Sequence, residues 1–515
     1  MAVQAVADES CAAFDGITSP LEPRAVHRFV VGEDAGPTPM SAEAATQELG
    51  DPVAALLFLR GRFPRTAAEL VDQLRKVADG ADPLQQHATF VLGEGSQVAF
   101  SDDTATVDRG LRFLIACGKP TEPDVIMSTP APDAPFVELM AWDRKGGGFN
   151  FYRTVDGAWV FAGNSRAALV APTEGKGPFD SHVTGNLLMK ELRKPWIHWH
   201  SSAGHMIDTV FALDDPRRRH DWFTQRQGAD VFEKTVARPS IRRWTEARFE
   251  ASAGPPGRVM KQILDTSTVN LIASHTESRR ALSAGDPVKL PQTFFVDSEA
   301  LTEVLGLPAP PALSVEAQLY AAALARFEFT LRAAGGFSQP GDSRFAFIVP
   351  ERAFEDRVAL EQAIDRKLVT PRLAACLLMV DFANPVFSAR RATLLSHLPE
   401  AADEDLSQAL AEAILAASKE PAAGAAELEF ATLWAAGDDW PKQFGALLNR
   451  YYATLPSRVA SRTSFDDYVR LAESRRQRVR KMPIFENRLL FPETNITPEN
   501  LEMRPDGTVV QGAQT

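Results

Sequence analysis

The chain has 515 residues, of which 45% are hydrophobic and 24% are charged. This balance excludes a disordered or fibrous protein, and at roughly 100–200 residues per domain the length predicts two to four packed domains. The formal net charge of −12 opposes binding to nucleic acid, because the average surface would repel phosphates. The three cysteines, Cys11, Cys117 and Cys376, are too scattered for a disulfide framework or a Cys-x-x-Cys metal pair, so we expect them to be reduced.

The N-terminal segment lacks the basic and apolar regions of a secretory signal. No uncharged apolar stretch reaches the about 18 residues that a membrane-spanning helix needs, and the most apolar window, residues 373–380, is much shorter. We therefore expect a cytoplasmic protein that does not interact with a membrane.

The first helix signal follows an extended lead-in that we predict for residues 1–40. Thr66 and Glu69 have the spacing of a capping box. In this motif the Thr hydroxyl accepts a hydrogen bond from the Glu amide, and the Glu side chain accepts one from the Thr amide. Apolar residues then follow at helical spacing until Gly80. The pattern predicts a helix near the start of an α+β domain that spans residues 41–255.

A β-meander is predicted further along this domain, within residues 85–165. Residues 136–142, 149–155 and 158–163 are typical of strands, and Asp156-Gly157 favours a type I′ turn between the last two. A helix is expected next, from residue 180 or 181 to Pro195, and then a short alternating aromatic segment over residues 196–201.

The second half of the chain is predicted to be helical. A connector rich in Pro and Gly is expected over residues 256–312, a helical domain over 313–482 and an extended tail over 483–515. The predicted helices cover residues 315–334, 352–366, 371–382, 389–397, 403–418, 424–436, 439–454 and 465–480. The fold class is therefore predicted to be α+β, with a β-meander-containing N-terminal half that also carries helices and a mostly α-helical C-terminal half.

Four of the nine histidines fall between residues 182 and 205. Alternate residues of a strand project to one face, so His198 and His200 are predicted to bind one metal, with His205 as a third ligand. Glu191 and His182, on the preceding segment, are the predicted catalytic residues. Iron or zinc with open coordination positions would suit this set. The alternative is that these histidines are structural, each with a ring nitrogen bonded to a carbonyl.

Aromatic and basic residues surround this cluster. Trp196 and Trp199 are predicted to form an apolar wall for a cofactor or substrate, together with Tyr152 and Trp159. A second group, Arg217 and Arg218, lies in the basic run 217–219 and is predicted to attract an anionic group of the substrate.

Haem is an alternative cofactor, since His182, Asn186 and Met189 would share one face of a helix. A metal-dependent hydrolase on a βα barrel is a further alternative, with His275 and Asp381 as later ligands, although regular strand–helix alternation is absent. Asp381 is also predicted to cap backbone amides or to pair with Arg390 and Arg391.

The sequence therefore predicts a metal-dependent enzyme, more specifically an oxidoreductase that acts on a poorly hydrated, anionic small molecule. The competing hypothesis is a non-catalytic scaffold or interaction protein whose helical half binds a partner. The basic helix over residues 465–481 is either a solvated face or a docking site for an acidic protein partner or for the chain's own negative surface.

Overall fold

The computed structural model describes residues 14, 17, 20–77, 84, 87–187, 198–201, 211–250, 257–265, 269–275, 285–341, 344–399, 406–482 and 490–512. The chain is α+β, with a strand-rich N-terminal half and a mostly helical C-terminal half, as predicted. It divides into two compact units. The first comprises Met1–Leu188, His198–Glu250 and Pro483–Leu489; the second comprises Met189–Ile197, Ala251–Met482 and Leu490–Thr515.

An eight-stranded sheet organises the first unit. Its order is β2-β1-β8-β7-β6-β5-β4-β3, and every neighbouring pair is antiparallel except β1 and β8. The strands are β1 (Val26–Arg28), β2 (Thr38–Pro39), β3 (His87–Glu94), β4 (Gly110–Lys119), β5 (Glu122–Thr129), β6 (Glu138–Asp143), β7 (Gly148–Val155) and β8 (Ala158–Asn164).

The predicted meander is confirmed as strands β6, β7 and β8. The turn between β7 and β8 has left-handed backbone at both central positions, with φ of 49° at Asp156 and 79° at Gly157, as a type I′ turn requires. The lead-in differs from the prediction, because residues within 1–40 supply β1 and β2. These strands are too short for a periodic signal to register in the sequence.

Helices cover both faces of the sheet. The first face packs on α1 (Ala42–Glu48), α2 (Pro52–Leu56) and α3 (Ala67–Val77) through one apolar cluster. The predicted capping box of α3 is confirmed in part: the Glu69 amide donates to Thr66 Oγ1 over 3.2 Å, but the Glu69 carboxylate accepts from the Arg65 amide at 2.7 Å and not from the Thr66 amide.

The second face packs on a helical stretch after α4 (Asp221–Thr224). This stretch begins as α5 (Ala229–Phe232), continues as a π-helical turn (Glu233–Ala237) and ends as α6 (Arg238–Glu250). Trp244 of α6 is fully buried there.

Residues 181–187 are not helical, so the helix predicted from residue 181 is wrong over the part that the structure describes. Gly185 has a left-handed φ of 72°, and a Cβ on it would lie 2.4 Å from the Ser165 carbonyl oxygen. Because two backbone segments approach this closely, residues 181–187 do not form the helix that the spacing of apolar residues predicts. The shared helical face proposed for His182 and Asn186 in the haem alternative therefore does not form, and Met189 lies outside the described residues.

The second unit is mainly helical. Its helices are α7 (Gly257–Leu264), α8 (Ala317–Arg326), α9 (Phe354–Asp365), α10 (Pro371–Met379), α11 (Ala389–Thr393), α12 (Leu406–Ala417), α13 (Ala425–Trp434), α14 (Trp440–Ala460) and α15 (Arg462–Lys481). Its strands form four pairs, from β9 (Val269–Ile272), β10 (Val288–Lys289), β11 (Ser314–Val315), β12 (Thr330–Arg332), β13 (Ser338–Pro340), β14 (Val349–Arg352), β15 (Leu501–Met503) and β16 (Val509–Gln511).

Most predicted helices of this unit are confirmed within a few residues. The exception is the stretch predicted over residues 315–334, which ends at Arg326 because Glu328 takes a φ of 53° and β12 follows. The regions predicted as connector and tail also hold structure: α7, β9 and β10 lie in the first, and β15 and β16 form a hairpin in the second.

Helix α15 is not a solvated basic face along its whole length. Arg475 and Arg476 are buried, and the Arg476 guanidinium donates to the Ala346 carbonyl oxygen and to the carboxylate of Glu473. The expectation of a solvated face, or of an open docking surface, is therefore wrong for these two arginines. Their charges are neutralised inside the unit, where carbonyl oxygens and Glu473 replace water.

Candidate functional site

The histidine segment lies along the free edge of the sheet. The Gly93 amide donates to the His198 carbonyl oxygen over 2.7 Å, and the His200 amide donates to the Val91 carbonyl oxygen over 3.1 Å. Residues 198–200 therefore extend the sheet beyond β3, as an edge strand would. His198 and His200 project to one side of this strand, and Trp199 projects to the other, where it stacks on Phe232 with ring centroids 5.1 Å apart.

The ring of His198 has a protein partner at one nitrogen. The Gly95 amide donates to His198 Nε2 over 3.3 Å, and the side chain is only 1% exposed. A neutral imidazole has one lone-pair nitrogen, so in this arrangement Nε2 is that nitrogen and Nδ1 carries the proton. This bond competes with metal ligation by His198.

His182 is held differently. Its Nδ1 lies 2.7 Å from the Asn186 carbonyl oxygen, so Nδ1 carries the proton and Nε2 carries the lone pair. The ring packs on Phe151 with centroids 5.2 Å apart. Burial lowers the pKa of His182, although the Asn186 carbonyl acts in the opposite direction. A neutral ring with a lone pair at Nε2 suits a general base or a metal ligand.

The described histidines do not form one group. His182 packs on Phe151 of β7 on the second face, whereas His198 and His200 project to the first face at the outer edge of β3. Five strand positions separate them, which is about 20 Å or more at the usual strand spacing. Glu191, Trp196 and His205 lie outside the described residues. Among those that are described, no three His, Cys, Asp or Glu side chains are grouped to hold a metal ion.

The remaining residues predicted to surround the site are tied to the fold. Arg217 forms a bidentate pair with Asp215, at 3.0 and 2.8 Å, which lowers the pKa of Asp215. Arg218 donates to the Phe211 and Ala212 carbonyl oxygens at 2.8 and 3.0 Å. Both guanidinium groups therefore help to close a local turn.

Two of the four aromatic residues predicted to line the pocket, Tyr152 and Trp159, belong to the first core. The Tyr152 hydroxyl donates to Asp51, and Trp159 Nε1 donates to the Pro64 carbonyl oxygen over 2.7 Å. Both rings are buried against helices of the first face, so they fill the core and do not face a cavity.

A cluster of charged side chains occurs in the second unit, around Asp381. This residue has a left-handed φ of 56°, which is uncommon outside glycine, and it is only 5% exposed. Its carboxylate accepts from Asn384 Nδ2 at 2.8 Å, from Ser388 Oγ at 2.6 Å and from Arg390 Nη2 at 2.7 Å. Backbone strain that is held by several side chains is a feature of functional sites.

Two further carboxyl groups lie beside Asp381. Glu429 accepts from the Asp381 amide at 3.2 Å and from Arg390 Nη1 at 3.2 Å. Glu502 is placed by Asn384, whose amide group bonds the backbone of the next residue, Met503, at 2.9 and 3.0 Å. Burial and the nearby Asp381 charge raise the pKa of Glu502, and burial raises the pKa of Glu429.

Glu502 and Arg478 differ from their neighbours. Asp381, Arg390 and Glu429 are all bonded to the fold, whereas within the described chain neither the Glu502 carboxyl group nor the Arg478 guanidinium has a hydrogen bond or an ion pair. Arg478 is exposed and stacks over the Phe387 ring at 4.4 Å, close enough to Glu502 for the two charges to interact. We call Asp381, Arg390, Glu429, Arg478 and Glu502 the Asp381 site.

Sequence reasoning found only part of this site. Of the two roles predicted for Asp381, the pairing with Arg390 is confirmed, whereas Arg391 donates to backbone carbonyl oxygens and no backbone amide is found to donate to the Asp381 carboxylate among the described residues. Sequence reasoning missed Glu429, Arg478 and Glu502, which come from three other segments. The available signal was the polar Asp381 at the end of a strongly apolar run.

Comparison of the chain with protein-family models, with curated proteins and with solved structures gives no match. The description of the site therefore depends on its geometry alone. No helix within the described ranges has the length and apolar character to span a bilayer.

Proposed function

We propose that the chain is an enzyme that binds an anionic small molecule at the Asp381 site and transfers a proton with Glu502. The observation that carries the proposal is the half-buried carboxyl group of Glu502, which has no hydrogen bond or ion pair within the described residues and lies near enough to the exposed Arg478 guanidinium for their charges to interact. Buried charged groups that only stabilise a fold are normally paired, as Asp381 is.

Arg478 would hold the anionic group of the substrate. A guanidinium presents planar donors that match carboxylate or phosphate oxygens, and stacking on Phe387 orients that plane in advance. Arg390 is occupied by Asp381 and Glu429, so its role is to keep their charges in place and not to bind the substrate directly.

Glu502 would be the proton-transfer group. A carboxyl group with a raised pKa is partly protonated closer to neutral pH than an ordinary glutamate, so it can donate as well as accept. Asp381 is the positioning residue: its buried negative charge is one cause of that raised pKa, and three hydrogen bonds fix it beside Glu502.

The binding test uses inorganic phosphate and succinate as two separate probes, measured by calorimetry on the full chain. The Arg478→Gln variant should bind the preferred probe at least tenfold more weakly than the parent chain. The Arg470→Gln variant, which removes a partly exposed arginine that pairs with Asp467 on the same helix, should bind like the parent. Equal weakening by both variants, or no binding of either probe, would contradict the proposal.

The catalytic test follows turnover in small-molecule extracts by mass spectrometry. Any metabolite consumed by the parent chain should persist with Glu502→Gln, at unchanged thermal stability. The non-catalytic scaffold hypothesis instead predicts that no metabolite is consumed. Consumption that is unaffected by Glu502→Gln would place catalysis elsewhere and refute the role of Glu502.

The metal-dependent oxidoreductase remains a second proposal, centred on His198, His200 and His205, with Glu191 as a catalytic residue; His182, which was also predicted to be catalytic, lies on the other face of the sheet and is not part of this site. The proposal is favoured by the extended backbone of residues 198–200, which turns His198 and His200 to one side. Elemental analysis of the purified chain should find stoichiometric iron or zinc that is lost in the His198→Ala/His200→Ala variant. A porphyrin absorption band would indicate haem, and metal-free protein of normal stability would refute this proposal.

A further inference from the structure

A cleft of about 240 Å3 opens in the first unit, at the carboxyl ends of β1 and β8. These strands are the parallel pair of the sheet, and the ends of parallel strands leave a crevice where the chain turns away on either side. Val30 and Phe161 are buried and line the cleft, while Val170 at its rim is 45% exposed. An apolar floor below polar groups is the usual composition of a small-molecule site.

One wall of the cleft is acidic. Arg28 pairs with Glu33 at 2.7 Å, with Glu48 at 3.3 Å and with Asp34, so that three negative charges share one positive charge. The side chains of Glu33 and Glu48 are 38% and 42% exposed, and both line the cleft. Lys176 lies near this loop, but its amine donates to the Pro172 carbonyl oxygen. The excess negative charge favours a cationic group of a ligand.

The other wall carries a cation. Arg166 is exposed, and among the described residues its guanidinium bonds only the Gly146 carbonyl oxygen, at 3.3 Å from both Nε and Nη2. It leans over the ring of Trp244 in α6, which covers the second face of the sheet. Glu48 comes from α1, which covers the first face. The two charged walls therefore approach the cleft from opposite faces of the sheet.

The geometry points to a binding site for a small zwitterion, an amino acid whose ammonium group meets Glu33 and Glu48 and whose carboxylate meets Arg166. The volume limits the ligand to a few carbon atoms between its charges. Its aliphatic part contacts Val30 and Phe161. This site lies in the first unit and does not depend on the Asp381 site.

Calorimetry on the full chain tests this with alanine and 5-aminopentanoate as zwitterions, and with pentanoate and pentylamine as singly charged controls. At least one zwitterion should bind tenfold more tightly than either control. Glu33→Gln and Arg166→Gln should each reduce the affinity for that zwitterion at least fivefold, while Arg166→Lys should retain part of the affinity. Glu43→Gln, which removes an exposed carboxylate from α1 outside the cleft, is the matched control.

Thermal unfolding of each variant separates loss of the site from loss of the fold. Because Arg166→Lys keeps the charge, it remains informative if Arg166→Gln is destabilised. Absence of zwitterion binding, equal affinity for all four probes, or an affinity unchanged by both Glu33→Gln and Arg166→Lys would overturn the inference.

Discussion

Asp381 and Arg390 form an ion pair with 2.7 Å between Oδ1 and Nη2, although Asp381 holds a backbone conformation that few residues other than glycine adopt. Neighbouring groups hold Asp381 in this backbone conformation and so keep its carboxylate beside Arg390. The negative charge of Asp381 also raises the pKa of Glu502, without a hydrogen bond between the two carboxyl groups.

Removing this charge should change the titration of Glu502. Asparagine tolerates left-handed backbone, so Asp381→Asn should keep the local conformation while the pKa of Glu502 falls toward the ordinary glutamate value. Carboxyl-carbon NMR of Glu502 through a pH titration measures this. Asp438→Asn, which removes an exposed carboxylate at the start of α14, should leave that titration as it is. An unchanged pKa in Asp381→Asn would disprove the electrostatic link.

Loss of Arg476 should destabilise the second unit strongly. Arg476→Met leaves Glu473, which is 2% exposed, without its main cation, and breaking a buried pair from one side costs about 3–5 kcal/mol. Urea unfolding should show this loss for Arg476→Met and a change within about 0.5 kcal/mol for the partly exposed Arg470→Ala.

The double variant Arg476→Met/Glu473→Leu should recover much of that loss, because neither charge is then buried alone. Similar free energies of unfolding for Arg476→Met and Arg470→Ala would contradict the burial of Arg476 in α15.

Asp51 should be the most important helix cap of the first unit. Its Oδ1 accepts the Val53 and Ala54 amides, both at 3.0 Å, and its Oδ2 accepts Asn150 at 2.9 Å and the Tyr152 hydroxyl. Asp51→Ala removes the cap and leaves buried donors unpaired, so it should lower the free energy of unfolding by about 2–4 kcal/mol.

Ser41→Ala is the matched comparison, because Ser41 caps α1 at an exposed position and should cost about 1 kcal/mol. Equal losses for the two variants in chemical denaturation would contradict the role assigned to the buried network around Asp51.

The stability of the first unit should fall on mild acidification. Burial lowers the pKa of His27, which is 2% exposed, and burial also lowers the pKa values of His87 and His182. Between these lowered pKa values and the ordinary histidine pKa of 6.5, the unfolded chain binds more protons than the folded chain. The free energy of unfolding therefore decreases as the pH falls through this range.

Denaturant unfolding at pH 7 and pH 5 tests this. His27→Gln should show a smaller loss between the two conditions than the parent, because one of the three groups no longer titrates. A parent whose stability is the same at both values, or a variant with an identical loss, would refute the assignment.

The elements were predictable wherever the sequence carries a local signal. The Thr66 cap of α3 and the Asp156-Gly157 turn were each identified from a few adjacent residues. The fold class followed from such signals, because helix and strand periodicity is a property of short windows.

The sites were less predictable, because they depend on residues that are distant in sequence. Glu502 and Arg478 meet Asp381 across about 100 residues or more of chain, and no spacing rule connects them. His198 and His182 lie close in sequence, yet the sheet places them on different faces. Proximity along the chain was therefore a poor guide to which charged groups act together.

The parallel pairing of β1 with β8 has a kinetic consequence. Val26 lies opposite Trp159, so β1 can pair with β2 early but cannot pair with β8 until about 130 further residues have been synthesised and the meander has assembled. Closing so long a loop late in folding is slow, and during synthesis on the ribosome the other edge of β1 must wait for β8. We expect deletion of β1 to leave β8 as an open edge able to join a second chain.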